Sequence, residues 1–170
     1  DSRAMEQRLS FLATHDPLTK LLNRYAFEQQ LKQALEDAQL NQGHHVLCYM
    51  DLDQFKIVND TCGHVAGDAM LQMISNLIQN SLRQSDTLAR LGGDEFGLLL
   101  ENCSLERAKL LTTKICEVVK EFRFSWDDKT FAAGVSVGIA AITAETSNID
   151  LVMSAADAAC YVAKDMGRNR

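Results

Sequence analysis

Val46 to Leu52 read Val-Leu-Cys-Tyr-Met-Asp-Leu, a run broken by a single polar residue, Asp51. Such a near-continuous apolar run is the mark of a strand covered on both faces, and it obliges the chain to supply covering layers. The run ends in Asp51-Leu52-Asp53, where strand period places the two aspartates on one face. A carboxylate at the end of a buried strand is costly unless it is paired or bound to a metal.

A second acidic pair follows a turn. Leu91-Gly92-Gly93-Asp94-Glu95-Phe96 joins two strand-like runs, Asp86–Leu91 and Phe96–Leu100. Gly-Gly suits a tight hairpin because both residues can take positive φ, and the turn's backbone lies open to a ligand. Two carboxylates at its tip add little to stability and could hold a hard cation. Between the acidic pairs, Gln54 to Asp68 collect Lys56, Asn59, Asp60, His64 and Asp68 around Gly63 and Gly67. The segment reads as a loop-and-turn ligand site. Singly, Asn59 suits a turn and His64 a helix start.

The remaining chain supplies the covering layers. Met5, Leu9 and Leu12 make one stripe of a short helix, either ordinary or the end of a coiled coil entering from upstream. Asp16-Pro17 breaks it, with Asp16 as cap for a new turn. Phe27, Leu31, Ala34, Leu35 and Ala38 mark a helix from Arg24 to about Leu40. Another runs from about Val65 to Leu82, with Ala69, Met70, Met73, Ile74, Leu77 and Ile78 inward. Leu105–Phe122 is a third. Phe124–Trp126 and Thr130–Ile142 read as a second hairpin, with a buried returning strand. Ser147 or Asn148 caps a last helix, Leu151–Lys164. This order predicts an α+β fold, one mixed or antiparallel sheet of about five strands with helices packed over it.

Composition narrows the function. With 170 residues, 46% of them apolar, the chain can bury one substantial core. Its net charge of −6 argues against a nucleic-acid partner but not against a nucleotide, since metal ions mediate between carboxylates and phosphates. Cys48, Cys62, Cys103, Cys116 and Cys160 form no CxxC pair and read as reduced thiols of a cytosolic compartment. No run is long enough to span a bilayer. The chain starts inside a helix and stops at Gly167-Arg168-Asn169-Arg170, so it is expected to be a piece of a longer chain whose membrane anchor, if any, lies outside it.

Asp16-Pro17-Leu18-Thr19 with Leu21-Leu22-Asn23-Arg24, Asp51 through Asp68, Gly92–Phe96, and Ala156-Asp157 with Tyr161, Ala163-Lys164 and Gly167-Arg168-Asn169 stand in the order and at the spacing of one family. Together they closely resemble the GGDEF domain of diguanylate cyclases, over essentially the whole chain. The resemblance implies a five-stranded sheet with flanking helices, similar to the palm of nucleotide cyclases and polymerases. It implies a helix at 1–14 that carries signals and a domain at 15–170. The implied reaction condenses two GTP into cyclic di-GMP with release of two pyrophosphates. Asp51, the Leu52 carbonyl and Asp94 match the family's ligands for Mg²⁺, two ions per GTP, with Mn²⁺ as a substitute. Asp94 also matches a group that helps deprotonate the attacking hydroxyl, with Glu95 as a supporting carboxylate. Lys56 matches a transition-state contact, Asn59 and Asp68 the guanine readers, and His64 a further substrate contact. Lys164 and Arg168 match the terminal-phosphate contacts. Arg83 and Asp86 stand where the family's product-inhibition site carries Arg-x-x-Asp.

An Asn/Asp pair suits guanine, because the amide donates to O6 while the carboxylate accepts from N1 and N2 hydrogens. The pair and the Arg-x-x-Asp speak against a cyclase making cyclic AMP or GMP. The principal alternative is a silent domain that binds GTP or cyclic di-GMP. The resemblance further implies a homodimer for catalysis, an upstream sensory domain and a bacterial cytoplasmic location. The wording of Asp51–Asp68 is similar to forms often followed by a phosphodiesterase (EAL) domain. One departure is Lys20, where the family usually has Gly; it is expected to alter the local turn.

Overall fold

The computed structural model describes residues 2–168. Helix α1 (Ser2–Thr14) leads into α2 (Arg24–Asn41), strand β1 (His45–Asp53), and helices α3 (Phe55–Cys62) and α4 (His64–Gln79). The hairpin β2 (Thr87–Gly92) and β3 (Glu95–Leu100) follows, then α5 (Leu105–Glu121), β4 (Arg123–Trp126), β5 (Lys129–Ala132), β6 (Gly134–Ile142) and α6 (Ile149–Asp165).

The main sheet runs β2-β3-β1-β6, and its three pairings are antiparallel. β1 is central, as its apolar run requires. Val46, Cys48, Met50 and Leu52 face a core shared with Met70 and Ile74 of α4 and Ile115 and Val119 of α5. Leu47 and Tyr49 face a second core with Phe27 and Leu31 of α2 and Val152 and Ala156 of α6. The fold is therefore α+β with helices on both faces of the sheet. Asn23, Ser104 and Asn148 cap α2, α5 and α6 by accepting from backbone N–H groups three residues on. α6 comes so near β6 that a Cβ on Gly138 would run into the backbone of Ala156 and Cys160. The cysteines are free thiols, and all but Cys62 are buried.

Four expectations need correction. The sheet has four strands, and β4 and β5 form a separate two-stranded ribbon. Chain after Ala133 leaves that ribbon because β6 finds β1 as a partner along its whole length, from His45↔Ile142 to Asp53↔Gly134. The Gln54–Asp68 segment is not loop but α3 and the start of α4, reversed at Gly63, whose φ is +92°. Phe55, Val58 and Cys62 carried the helical spacing; the polar groups between them obscured it. α4 ends at Gln79 rather than Leu82, and Met73 is 47% exposed rather than inward. Lys20 sits in the closed Asp16 turn. Its N–H donates to the Asp16 carbonyl at 2.8 Å while its φ is +66°, the left-handed region that favours glycine.

α1 buries none of its residues, and Met5, Leu9 and Leu12 are exposed on it. Among the described residues, no helix is long and apolar enough to cross a membrane.

Candidate active site

The end of β1 and the tip of the β2–β3 hairpin meet in the sheet. Asp51 lies opposite Glu95 in register, and the Leu52 N–H donates to the Asp94 carbonyl at 3.0 Å. Gly93 turns the hairpin with φ +49°. Asp51 and Asp94 thereby become neighbours. Burial first, then the Asp94 charge, push the Asp51 carboxyl up to about 7, against the pull of Lys164. Asp51 Oδ1 is buried with no hydrogen bond, and Lys164 Nζ stands 3.5 Å from it.

An unbonded buried carboxylate oxygen beside a second carboxylate is a fit for a hard divalent cation, which relieves both problems. Among the described residues, no three His, Cys, Asp or Glu side chains converge as a ligand set. A complete shell therefore needs backbone carbonyls such as that of Leu52, water or a substrate's phosphates, as is usual for Mg²⁺. Glu95 is held aside: Tyr49 Oη donates to its Oε2 at 2.6 Å.

Four of the other predicted residues lie on the two helices that follow β1. Lys56 and Asn59 are on α3, and His64 and Asp68 on α4; Lys56, His64 and Asp68 are exposed. Asn59 Oδ1 is buried and has no hydrogen bond, and a Cβ on Gly67 would collide with it. Gly67 thus makes room for the amide between the two helices. Lys164, in the last turn of α6, reaches back to Asp51, and Arg168 lies just beyond the helix end.

Arg83 and Asp86 come together as a pair, but with each other. Arg83 Nη2 stands 2.9 Å from Asp86 Oδ1, and its backbone N–H donates to Asp86 Oδ2, also at 2.9 Å. The Asp86 side chain is fully covered while that of Arg83 is 46% exposed. The outward-facing group of this pair is the arginine edge.

Sequence reasoning missed several contacts. Arg90 donates through Nε to the Gly93 carbonyl at 3.0 Å and through Nη1 to Asp16 at 3.2 and 3.3 Å. Burial alone would raise the Asp16 carboxyl, but bonds from Thr19 and the charge of Arg90 hold it below its usual value. The Asp16 turn is thus tied to the Gly-Gly turn, and a cavity of about 440 Å³ opens beside both, lined by Arg24 and Tyr25 among others. A roomier cavity of about 810 Å³ lies around His45 and Cys103, at the opposite end of β1 from the carboxylates. The pairing of Asp53 with Ser136 was also missed. Their only sequence signal was the shared face of Asp51 and Asp53.

The profile of the diguanylate cyclase GGDEF domain matches residues 13–170. The chain belongs to the GGDEF family. It is 46% identical over 170 residues to the probable diguanylate cyclase DgcE of Escherichia coli K12, covering all of this chain and 15% of that protein. It is 39% identical over 167 residues to the cyclic di-GMP phosphodiesterase PdeB of Shewanella oneidensis, covering 98% of this chain and 19% of that one. The coiled coil and GGDEF domain of DgcB from Caulobacter crescentus, solved in complex with c-di-GMP, superposes with a TM-score of 0.91 at 30% identity, covering 99% of this chain and 89% of that one. The GGDEF chain therefore spans less than a fifth of these two curated relatives.

Proposed function

We propose that this GGDEF domain is an active, Mg²⁺-dependent diguanylate cyclase that condenses two GTP into cyclic di-GMP and releases two pyrophosphates. The observation that carries this reading is the Asp51–Asp94 pair, one oxygen of which is buried and unbonded. Phosphoryl transfer needs charge neutralisation and alignment more than covalent chemistry. Asp51, Asp94 and the Leu52 carbonyl would hold the metal, which when bound supplies that neutralisation. Asn59 and Asp68 read guanine, with His64 beside them. Lys56 steadies the reacting phosphate, and Lys164 and Arg168 receive the terminal phosphates. Arg83, with its exposed edge, is the product's point of contact for feedback.

One set of these groups holds one GTP, and the product needs two, each 3′-hydroxyl aimed at the other's α-phosphate. Two domains facing each other about a two-fold axis complete the site. The exposed Met5, Leu9 and Leu12 stripe of α1 is the element that pairs them, set by an upstream sensory domain. The DgcB structure, which contains a coiled coil, supports this role.

A second reading, a silent GTP- or cyclic di-GMP-binding module beside a phosphodiesterase domain, is favoured by the likeness to PdeB. Incubation with GTP and Mg²⁺ followed by product separation decides between them. The cyclase reading expects cyclic di-GMP from the wild-type chain and none from a folded Asp94→Ala variant. Equal output from both would overturn it.

A further inference from the structure

Asp53 has no role in the reading above, yet both candidate phosphate-binding cations converge on it. Its side chain, at the end of β1, is only 4% exposed. Its Oδ1 accepts from Ser136 Oγ at 2.9 Å and lies 3.5 Å from Lys164 Nζ and 3.6 Å from Arg168 Nη1. Ser136 is itself fully buried on β6. Lys164 and Arg168 are long side chains at and beyond the end of a helix, where rotamer freedom is lost on binding a ligand. A carboxylate fixed from behind by a buried hydroxyl gathers them before the ligand arrives. Lys164 is also 3.5 Å from Asp51, but an ion on Asp51 would take that partner away. Asp53, bonded to Ser136, is the anion that remains.

We propose that Asp53 is a positioning residue that holds Lys164 and Arg168 side by side for the terminal phosphates of a nucleoside triphosphate. The proposal rests on the reading of those two cations as phosphate contacts. Loss of the Asp53 charge then costs affinity for a triphosphate and spares affinity for the same nucleoside with one phosphate. A pin that merely fastens α6 to the sheet would treat both ligands alike.

The test is calorimetry with Mg²⁺ and guanosine 5′-[α,β-methylene]triphosphate, whose α–β bridge cannot be cleaved, alongside GMP. Asp53→Asn is expected to weaken the triphosphate about tenfold and to leave GMP within about twofold. In a Lys164→Met/Arg168→Met background the same change is expected to cost less than about twofold, because Asp53 acts through those cations. If Asp53→Asn does not fold, Ser136→Ala replaces it, with the same pattern at about threefold. Unchanged or tighter triphosphate binding, equal losses for GMP, or equal losses in both backgrounds would each overturn the proposal. A wild-type chain that binds neither nucleotide would bring down the guanine-nucleotide reading and this proposal with it. A wild-type chain that binds both, with variants that miss the pattern, would bring down the proposal alone.

Discussion

Replacing Asp51 by Asn should make the metal-free domain more stable, and only at the higher end of the pH range. The neutral amide keeps the shape of the side chain and removes the charge that Asp94 and burial oppose. The Asp51 carboxyl is raised from 3.8 to about 7, by burial first and the Asp94 charge second. At 1.36 kcal/mol per pH unit that displacement corresponds to roughly 4 kcal/mol. The side chain is 22% exposed, and solvent screening of that kind brings the expected effect to about 1–2 kcal/mol. The sign follows from proton binding. The folded chain holds a proton on Asp51 that the unfolded chain has already released, so stability is lost as pH rises from 3.8 through about 7. At pH about 8 the wild type carries the whole penalty, and Asp51→Asn should melt about 3–6 °C higher. At pH about 4 the two should melt together. Thermal unfolding in chelator-treated buffer at both pH values reads this directly. Added Mg²⁺ should narrow the gap at the higher pH by stabilising the wild type more. A variant that is less stable at the higher pH, or equally shifted at both, would refute the argument that these carboxylates repel.

Two other substitutions test neighbouring parts of the domain. Lys20→Gly should stabilise by about 1 kcal/mol, read as a rise of about 2–4 °C in melting temperature, because it relieves a left-handed lysine in the Asp16 turn; an unchanged or lower melting point would show that the turn carries no strain. Arg83→Ala should weaken cyclic di-GMP binding by calorimetry and also cost about 1–3 kcal/mol of stability, since it leaves the covered Asp86 carboxylate without its guanidinium; unchanged product affinity would leave Arg83 as a structural ion pair only.

How far the sequence could be read depended on whether a signal was local. β1 was legible because burial on both faces leaves a near-continuous apolar run, and the Gly-Gly hairpin was legible because its turn residues are specific. The acids fell into place once those two elements were known, for the register of β1 and β3 sets Asp51 opposite Glu95. α3 was hidden because Phe55, Val58 and Cys62 are too few to outweigh the polar residues among them. The departure of β6 from the β4–β5 ribbon was not legible, since the choice of β1 as partner is a property of the whole sheet. Contacts across long stretches of chain were invisible for the same reason. Arg90 with Asp16, Tyr49 with Glu95, and Asp53 with Ser136 are each unremarkable in sequence and meaningful only once the strands are paired.

The most direct test of the proposal that this domain supplies half of a cyclase site is its specific activity across a dilution series, with cyclic di-GMP quantified after incubation with GTP and Mg²⁺ and the oligomeric state followed by sedimentation. The half-site reading expects product from the wild-type chain, activity per chain that rises with concentration, and a further rise at low concentration when a parallel dimeric coiled coil is fused in register ahead of Met5. Activity per chain that stays flat over a range in which only monomer sediments, or no cyclic di-GMP even where dimer is present, would contradict it.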